Sequence, residues 1–203
     1  VKGIERCRSF TQNDSHIFCT PEQIKSEFKG VLDLTIEVYK DFNIDLTKHK
    51  FRLSLRDPED KNNKYYKDDN MWNEAENALR EVLDELKVDY FEAKGEAAFY
   101  GPKLDIMIKP AVGNEVAIPT IQLDFLLPRK FDLNYIDANG EKKTPIVIHR
   151  AILGSLDRFI AFLLEETKGA LPLWLAPNQI NIIPVNNEYH LGYAKEILKR
   201  LKN

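Results

Sequence analysis

The sequence predicts an α+β protein: an antiparallel sheet flanked by helices, followed by the first strand and helix of a separate α/β unit. Three observations carry this. Several short segments alternate with period two and are separated by Gly-Asn and Asn-Gly turn signals. Two long segments instead keep apolar residues at helical spacing. Finally, "KGALPLWLAP" breaks the chain with Gly169, Pro172 and Pro177, and a continuous apolar run, "QINIIPV", follows it.

Composition sets the frame. Hydrophobic residues make up 43% of the 203 residues and charged residues 30%, the profile of an ordinary globular chain. A net charge of −3 argues against a generally basic nucleic-acid binder, although a local basic patch remains compatible with it. Cys7 and Cys19 have the spacing of neither a disulfide framework nor a cysteine-based zinc knuckle. With no signal peptide and no apolar run near eighteen residues, the expected setting is reducing and cytoplasmic, away from membranes.

The elements follow in order. "RCRSFTQNDSHIFCT" (6–20) reads as a strand in which Phe10, Gln12, Asp14, His16 and Phe18 share one face. An amide, a carboxylate and an imidazole between two phenylalanines are unusual there, since a half-buried strand normally keeps that alternation apolar. Thr20, Pro21 and Gln23 form a capping box, and Ile24, Phe28, Val31, Leu32, Val38 and Tyr39 carry a helix to about Phe42. "FRLSLRD" (51–57) alternates as a strand, and a charged loop follows it. Trp72, Ala75, Leu79, Val82, Leu83 and Leu86 mark a second helix.

Strands are then expected at 104–109, 115–126 and 132–136, with hairpin turns at 112–115 and 137–142. Most of them should pair with their sequence neighbours. Pro119 implies an edge or a bulge in the second of these strands. "TPIVIH" (144–149) is a last strand running directly into a helix from Arg150 to about Glu166. Ala151, Gly154, Ser155 and Arg158 would share one face of that helix. The expected domains are 1–171, a connector at 172–177, and the start of a second domain at 178–203.

Four segments therefore concentrate polar groups where a sheet is usually apolar. They are the opening strand, "AAFYGPKLDIMIK" with Tyr100 and Lys103, "TIQLDF" with Thr120, Gln122 and Asp124, and "IHRAILGSLDRF" with His149 and Arg158. Taken singly, each is an ordinary wetted strand face. His16 and His149 lie too far apart in sequence for their spacing alone to imply a shared metal.

Taken in this order, "RSFTQNDSHIFCTPEQ", "AAFYGPKLDI", "TIQLDFLLPRKFDLNYID", "IHRAILGSLDRF" and "PLWLAPNQI" resemble the catalytic core of the threonyl-tRNA synthetase family, and the resemblance spans nearly the whole chain. It implies the class II synthetase fold, with the active site on the open face of an antiparallel sheet. The last 26 residues would begin an anticodon-binding domain. The implied activity is that of a threonine–tRNA ligase, which forms threonyl-adenylate from threonine and ATP and transfers the threonyl group to tRNA(Thr). The intact protein would be a homodimer.

The resemblance also implies roles. Arg6 and Arg158 would grip the triphosphate, which travels with Mg²⁺. Guanidinium suits this because it stays charged and pairs two oxygens at once. Phe10 would stack on adenine. Lys103 would neutralise the reacting carboxylate and α-phosphate. Gln12, Asp14, Tyr100, Thr120 and Gln122 would surround threonine, with Asp14 on its hydroxyl. His16 and His149 would hold Zn²⁺ together with a cysteine expected upstream of Val1. A metal that must pair a hydroxyl rejects valine, which a pocket measuring volume alone cannot do well.

Cys7 and Cys19 do not match the cysteine position, and Ala117 departs from relatives that carry a glutamine there. An N-terminal part of the core is expected to be missing, so this stretch alone would be inactive. Two alternatives stay open: a related class II synthetase for proline or serine, and a synthetase-derived module that binds RNA or a protein without catalysis.

Overall fold

The computed structural model describes residues 3–109 and 115–202, which divide into two compact units, 1–169 and 170–203. The first unit is built on strands β1 (Gln12–Cys19), β2 (Lys50–Leu55), β3 (Tyr90–Lys94), β4 (Lys103–Ile108), β5 (Val116–Asp124) and β8 (Ile146–Ser155). They form one sheet in the order β1-β8-β5-β4-β2-β3. Every neighbouring pair is antiparallel except β2 and β3. A small hairpin, β6 (Tyr135–Ile136) and β7 (Lys142–Lys143), stands apart from it. Its turn is the expected one: Gly140 takes φ +82°, and Asp137 accepts the N–H groups of Asn139 and Glu141 at 2.9 Å each.

Strand alternation divides the sheet by chemistry. Leu53, Leu104, Ile121, Leu123 and Ile148 point to one face and are fully or almost fully buried. They share a core with α1 (Ile24–Asp41) through Phe28, Val31 and Leu32, and with α2 (Asp69–Glu85) through Trp72, Ala75, Leu79 and Leu83. Burying each such large apolar side chain contributes roughly 1.5–3 kcal/mol. The turn leading into α1 and the start of α2 are both capped. The Thr20 N–H donates to Gln23 Oε1 at 2.9 Å across a short 3-10 turn, Pro21–Gln23. Asp68 accepts the Met71 N–H at 2.9 Å. The intervening residues of β2, β4, β5 and β8 point the other way, and that second face is polar.

Several expectations need correction. The opening strand begins at Gln12, and residues 6–11 are irregular. The segment expected at 115–126 ends at Asp124, and a short helix, α3 (Leu127–Lys130), follows. The strand expected at 132–136 shrinks to Tyr135–Ile136. The turn expected at 112–115 lies outside the described residues except for Glu115.

β3 was not expected. "YFEAK" has little alternation, and only the parallel pairing with β2 makes it a strand. β8 runs on to Ser155, so α4 (Leu156–Glu166) starts six residues later than expected. Pairing with Gln12 and Asn13 holds that extension, a bulge lies opposite Asn13–Ser15, and Gly154 sits at φ +62°. Ser155 is the cap, accepting the Arg158 N–H at 3.5 Å. The shared helical face of Ala151, Gly154, Ser155 and Arg158 is therefore overturned, since only Arg158 lies on the helix.

Pro119, by contrast, sits at a bulge. Asp105 and Met107 face Thr120 and Ala117, leaving one extra residue on β5.

In the second unit, α5 (Asn187–Leu201) is capped by Asn186, whose side chain accepts the N–H groups of Glu188 and Tyr189 at 2.7 and 3.3 Å. The strand expected over 179–185 does not form. Ile183 and Val185 are 84% and 96% exposed, and no described segment offers the ladder that would make a strand of them. Among the described residues no helix is long and apolar enough to cross a membrane.

Candidate active site

The sheet register builds the site row by row. His16 faces His149 across β1 and β8, His149 faces Gln122 across β8 and β5, and Gln122 faces Lys103 across β5 and β4. Side chains directly opposite in adjacent strands lie on the same face. Four residues from four separate segments thus form one polar row. The ring centroids of His16 and His149 are 4.5 Å apart, with planes at 77°.

Tyr100 covers the row from a loop. Its ring lies 4.9 Å from that of His149, and its hydroxyl donates to Gln122 Oε1 at 2.6 Å. Gly101 makes this approach possible: a Cβ there would stand 1.8 Å from the carbonyl oxygen of Leu123. Burial pushes the Tyr100 phenol up to about 12, with Asp124 and Asp14 adding negative potential. Tyr100 is therefore a neutral donor at physiological pH. Asp14 is thus near enough for its charge to act on this phenol.

A second group of the expected residues lines an adjoining cavity of about 240 Å³, which includes Arg6, Phe10, Gln12, Thr120 and Arg158. Arg6 and Arg158 bring two guanidiniums to it, and the Arg158 Nε–H donates to the Glu5 carbonyl at 3.2 Å. Phe10 is 53% exposed, so a face of its ring is open for stacking. The Thr120 hydroxyl is buried without a hydrogen-bond partner, an unmet polar group in a cavity wall. Ala151 and Gly154 line the same cavity, so the small residues stand there after all, from a strand rather than a helix. Thr120 and Gln122 lie on one face of β5, which makes the cavity and the histidine row neighbours.

Two features are not legible in the sequence. His149 Nε2 lies 2.9 Å from Oδ2 of Asp124, a fully buried carboxylate. Lys103 meets both oxygens of Asp105, at 2.9 and 2.7 Å, and Asp105 also receives Arg52 at 2.9 Å and the Ser54 hydroxyl at 2.7 Å. A fully buried carboxylate is thus held by two cations. Alternation along β2 and β4 puts these side chains on one face, and the register pairs them.

The donor set can be compared with what a metal needs. Two imidazoles at this separation suit two positions of a zinc site, which ordinarily has three protein ligands when one position is kept open. Among the described residues no group of three His, Cys, Asp or Glu side chains could hold a metal. Cys19 cannot complete the set. It is buried in the core on the opposite face, where burial pushes its thiol up to about 11.

Comparison with known proteins bears on the family and the fold. Residues 1–167 match the family model described as tRNA synthetase class II core domain (G, H, P, S and T). The threonine–tRNA ligases of Streptococcus pyogenes serotypes M4 and M2 are each 56% identical over all 203 residues. The chain spans 31% of the length of these curated relatives. The crystal structure of the RNA binding domain of threonyl-tRNA synthetase from Cryptosporidium parvum Iowa II superimposes with a TM-score of 0.86 at 40% identity, covering 98% of this chain and 48% of that one. With a six-stranded sheet flanked by helices, and a family match over more than four-fifths of its length, this chain belongs to the class II tRNA synthetase core family.

Proposed function

We propose that this chain carries the greater part of the adenylation site of a threonine–tRNA ligase, acting on threonine, ATP and tRNA(Thr) in the cytoplasm as part of a homodimer. The observation that carries the reading is the row His16–His149–Gln122, roofed by Tyr100 and bordered by the Arg6–Phe10–Arg158 cavity. The first part has the chemistry to read a small hydroxylated amino acid, and the second has the charge and the exposed ring to receive a nucleotide.

In the proposed reaction a carboxylate oxygen of threonine attacks the α-phosphorus of ATP. The bond to pyrophosphate breaks, leaving threonyl-adenylate, and a ribose hydroxyl of the tRNA then takes the threonyl group. Arg6 and Arg158 bind the triphosphate alongside Mg²⁺ and hold it for in-line displacement, while Phe10 stacks on the adenine. Lys103, held by Asp105 and sharing it with Arg52, offers positive charge towards the reacting carboxylate and α-phosphate. Tyr100 donates to Gln122 and so orients that amide towards the amino acid, with Gln12 and Thr120 at the boundary of the two pockets. Asp14 accepts from the threonine hydroxyl.

His16 and His149 would hold Zn²⁺ together with a third ligand outside the described residues. When bound, the ion supplies a Lewis-acidic partner for the amino and hydroxyl groups of threonine, which valine cannot match. The last 26 residues would open the domain that reads the tRNA anticodon.

Threonine-dependent ATP–pyrophosphate exchange by the full-length protein tests the reading. Exchange with threonine, and much less with valine, is expected. Exchange driven by proline or serine instead, from protein free of zinc, would replace this assignment with another class II synthetase.

A further inference from the structure

Asp124 divides its two oxygens between two different tasks. Oδ1 accepts the backbone N–H groups of Leu126 and Leu127, at 2.9 Å each, where the chain turns into α3. Oδ2 lies 2.9 Å from Nε2 of His149. The residue is fully buried, so water does not compete for either oxygen. Because two fixed backbone donors occupy Oδ1, the carboxylate cannot rotate, and Oδ2 keeps one bearing on the imidazole.

An ionised carboxylate only accepts, so the nitrogen facing it must carry the proton. A neutral imidazole has one protonated nitrogen, and the other then holds the lone pair. We propose that Asp124 is a positioning residue: it fixes His149 as the Nε2–H tautomer and leaves Nδ1 as the only nitrogen of that ring able to ligate or accept. The ring is further confined by Tyr100 at 4.9 Å and His16 at 4.5 Å, so tautomer and orientation are set together. The consequence for ligation rests on the metal reading given above. The tautomer itself does not.

Asp124→Asn supplies the test, because the two backbone donors dictate how an amide must sit. They claim its oxygen, which turns the NH₂ group onto Nε2. His149 Nε2 must then accept, and its proton moves to Nδ1, where the lone pair is needed. Shape is nearly unchanged, and the bonds from the Leu126 and Leu127 N–H groups are kept.

In full-length, metal-free protein labelled with ¹⁵N-histidine, His149 should show the Nε2–H pattern in the wild type and the Nδ1–H pattern in the variant. Zinc affinity, measured by chelator competition, should fall about 10–100-fold in the variant, the scale for losing an outer partner of a ligating histidine. A wild-type His149 protonated at Nδ1 would overturn the proposal without recourse to any variant. So would an Asp124→Asn protein with unchanged tautomer and unchanged zinc affinity. Wild-type protein that binds no zinc, yet shows the expected tautomer switch, would instead remove the metal reading and leave the role of Asp124 standing.

Discussion

His16 and His149 are 133 positions apart in sequence and directly opposite in the β1–β8 ladder, with ring centroids 4.5 Å apart. Antiparallel register does this work. Each residue faces one partner, and the alternation of the two strands puts both rings on the polar side of the sheet. A single-residue slip would send one of them into the hydrophobic core.

Replacing either histidine with alanine in the full-length protein should therefore lower bound zinc and threonine activation together. Discrimination against valine should fall from the ~10⁴–10⁵ scale of a site that must pair a hydroxyl towards the ~10² of one that reads volume alone. Metal analysis and pyrophosphate exchange with both amino acids check this. Full zinc with unaltered discrimination in His149→Ala would remove His149 from the site.

Arg158→Ala takes one of two guanidiniums from the cavity at the start of α4. Adenylate formation should slow by roughly 10²–10³-fold, the scale for losing one preorganised charge-stabilising group. Zinc content should not change, because Arg158 does not belong to the histidine row. Single-turnover measurement of adenylate is the readout, and an unaltered rate would exclude Arg158 from phosphate binding.

Gly101→Ala is expected to be costly out of proportion to its size. The added Cβ would stand 1.8 Å from the carbonyl oxygen of Leu123, a backbone atom held within β5. The loop must lift, and the 2.6 Å bond from Tyr100 to Gln122 would break with it. A loss of about 1–3 kcal/mol in denaturant unfolding is expected, with a raised KM for threonine. Unchanged stability and KM would show that the loop can yield without moving Tyr100.

Tyr100 also gives the protein a pH signature. Burial, then the charges of Asp124 and Asp14, raise its phenol from 10.0 to about 12. Above pH 10 an unfolded chain releases this proton while the folded protein keeps it. The folded state then binds more protons, so the contribution of Tyr100 to stability is fully present below pH 10 and is lost as pH rises through about 12. In an ultraviolet titration, Tyr100→Phe should remove one late-ionising tyrosine. A variant that removes an ordinary, early-ionising tyrosine instead would show that Tyr100 is not buried as described.

How much of this was legible in the sequence can be traced residue by residue. Local rules found the Thr20–Gln23 capping box, the Asn139–Gly140 turn and the bulge at Pro119, because each depends on a few adjacent residues and on steric limits that travel with them. Alternation found the polar faces of β1 and β5. β3 was missed because "YFEAK" has no clear period and acquires its strand character from β2. The start of α4 was misplaced because "HRAILGS" carries apolar residues that suit a helix, and only its pairing with Gln12 and Asn13 holds it extended. The run at 179–185 has strand composition, but a strand without a ladder partner leaves its backbone groups to water.

Sequence alone marked the candidate polar residues and, for β1 and β5, the side of the strand on which they stand, because side-chain type and backbone period are local properties. The tertiary structure alone decided who meets whom: His149 with Asp124, Lys103 with Asp105, and Tyr100 with Gln122. Those partnerships depend on strand order and register, which follow from how the apolar faces of the whole sheet and its two helices find a common core. No short stretch of residues contains that information.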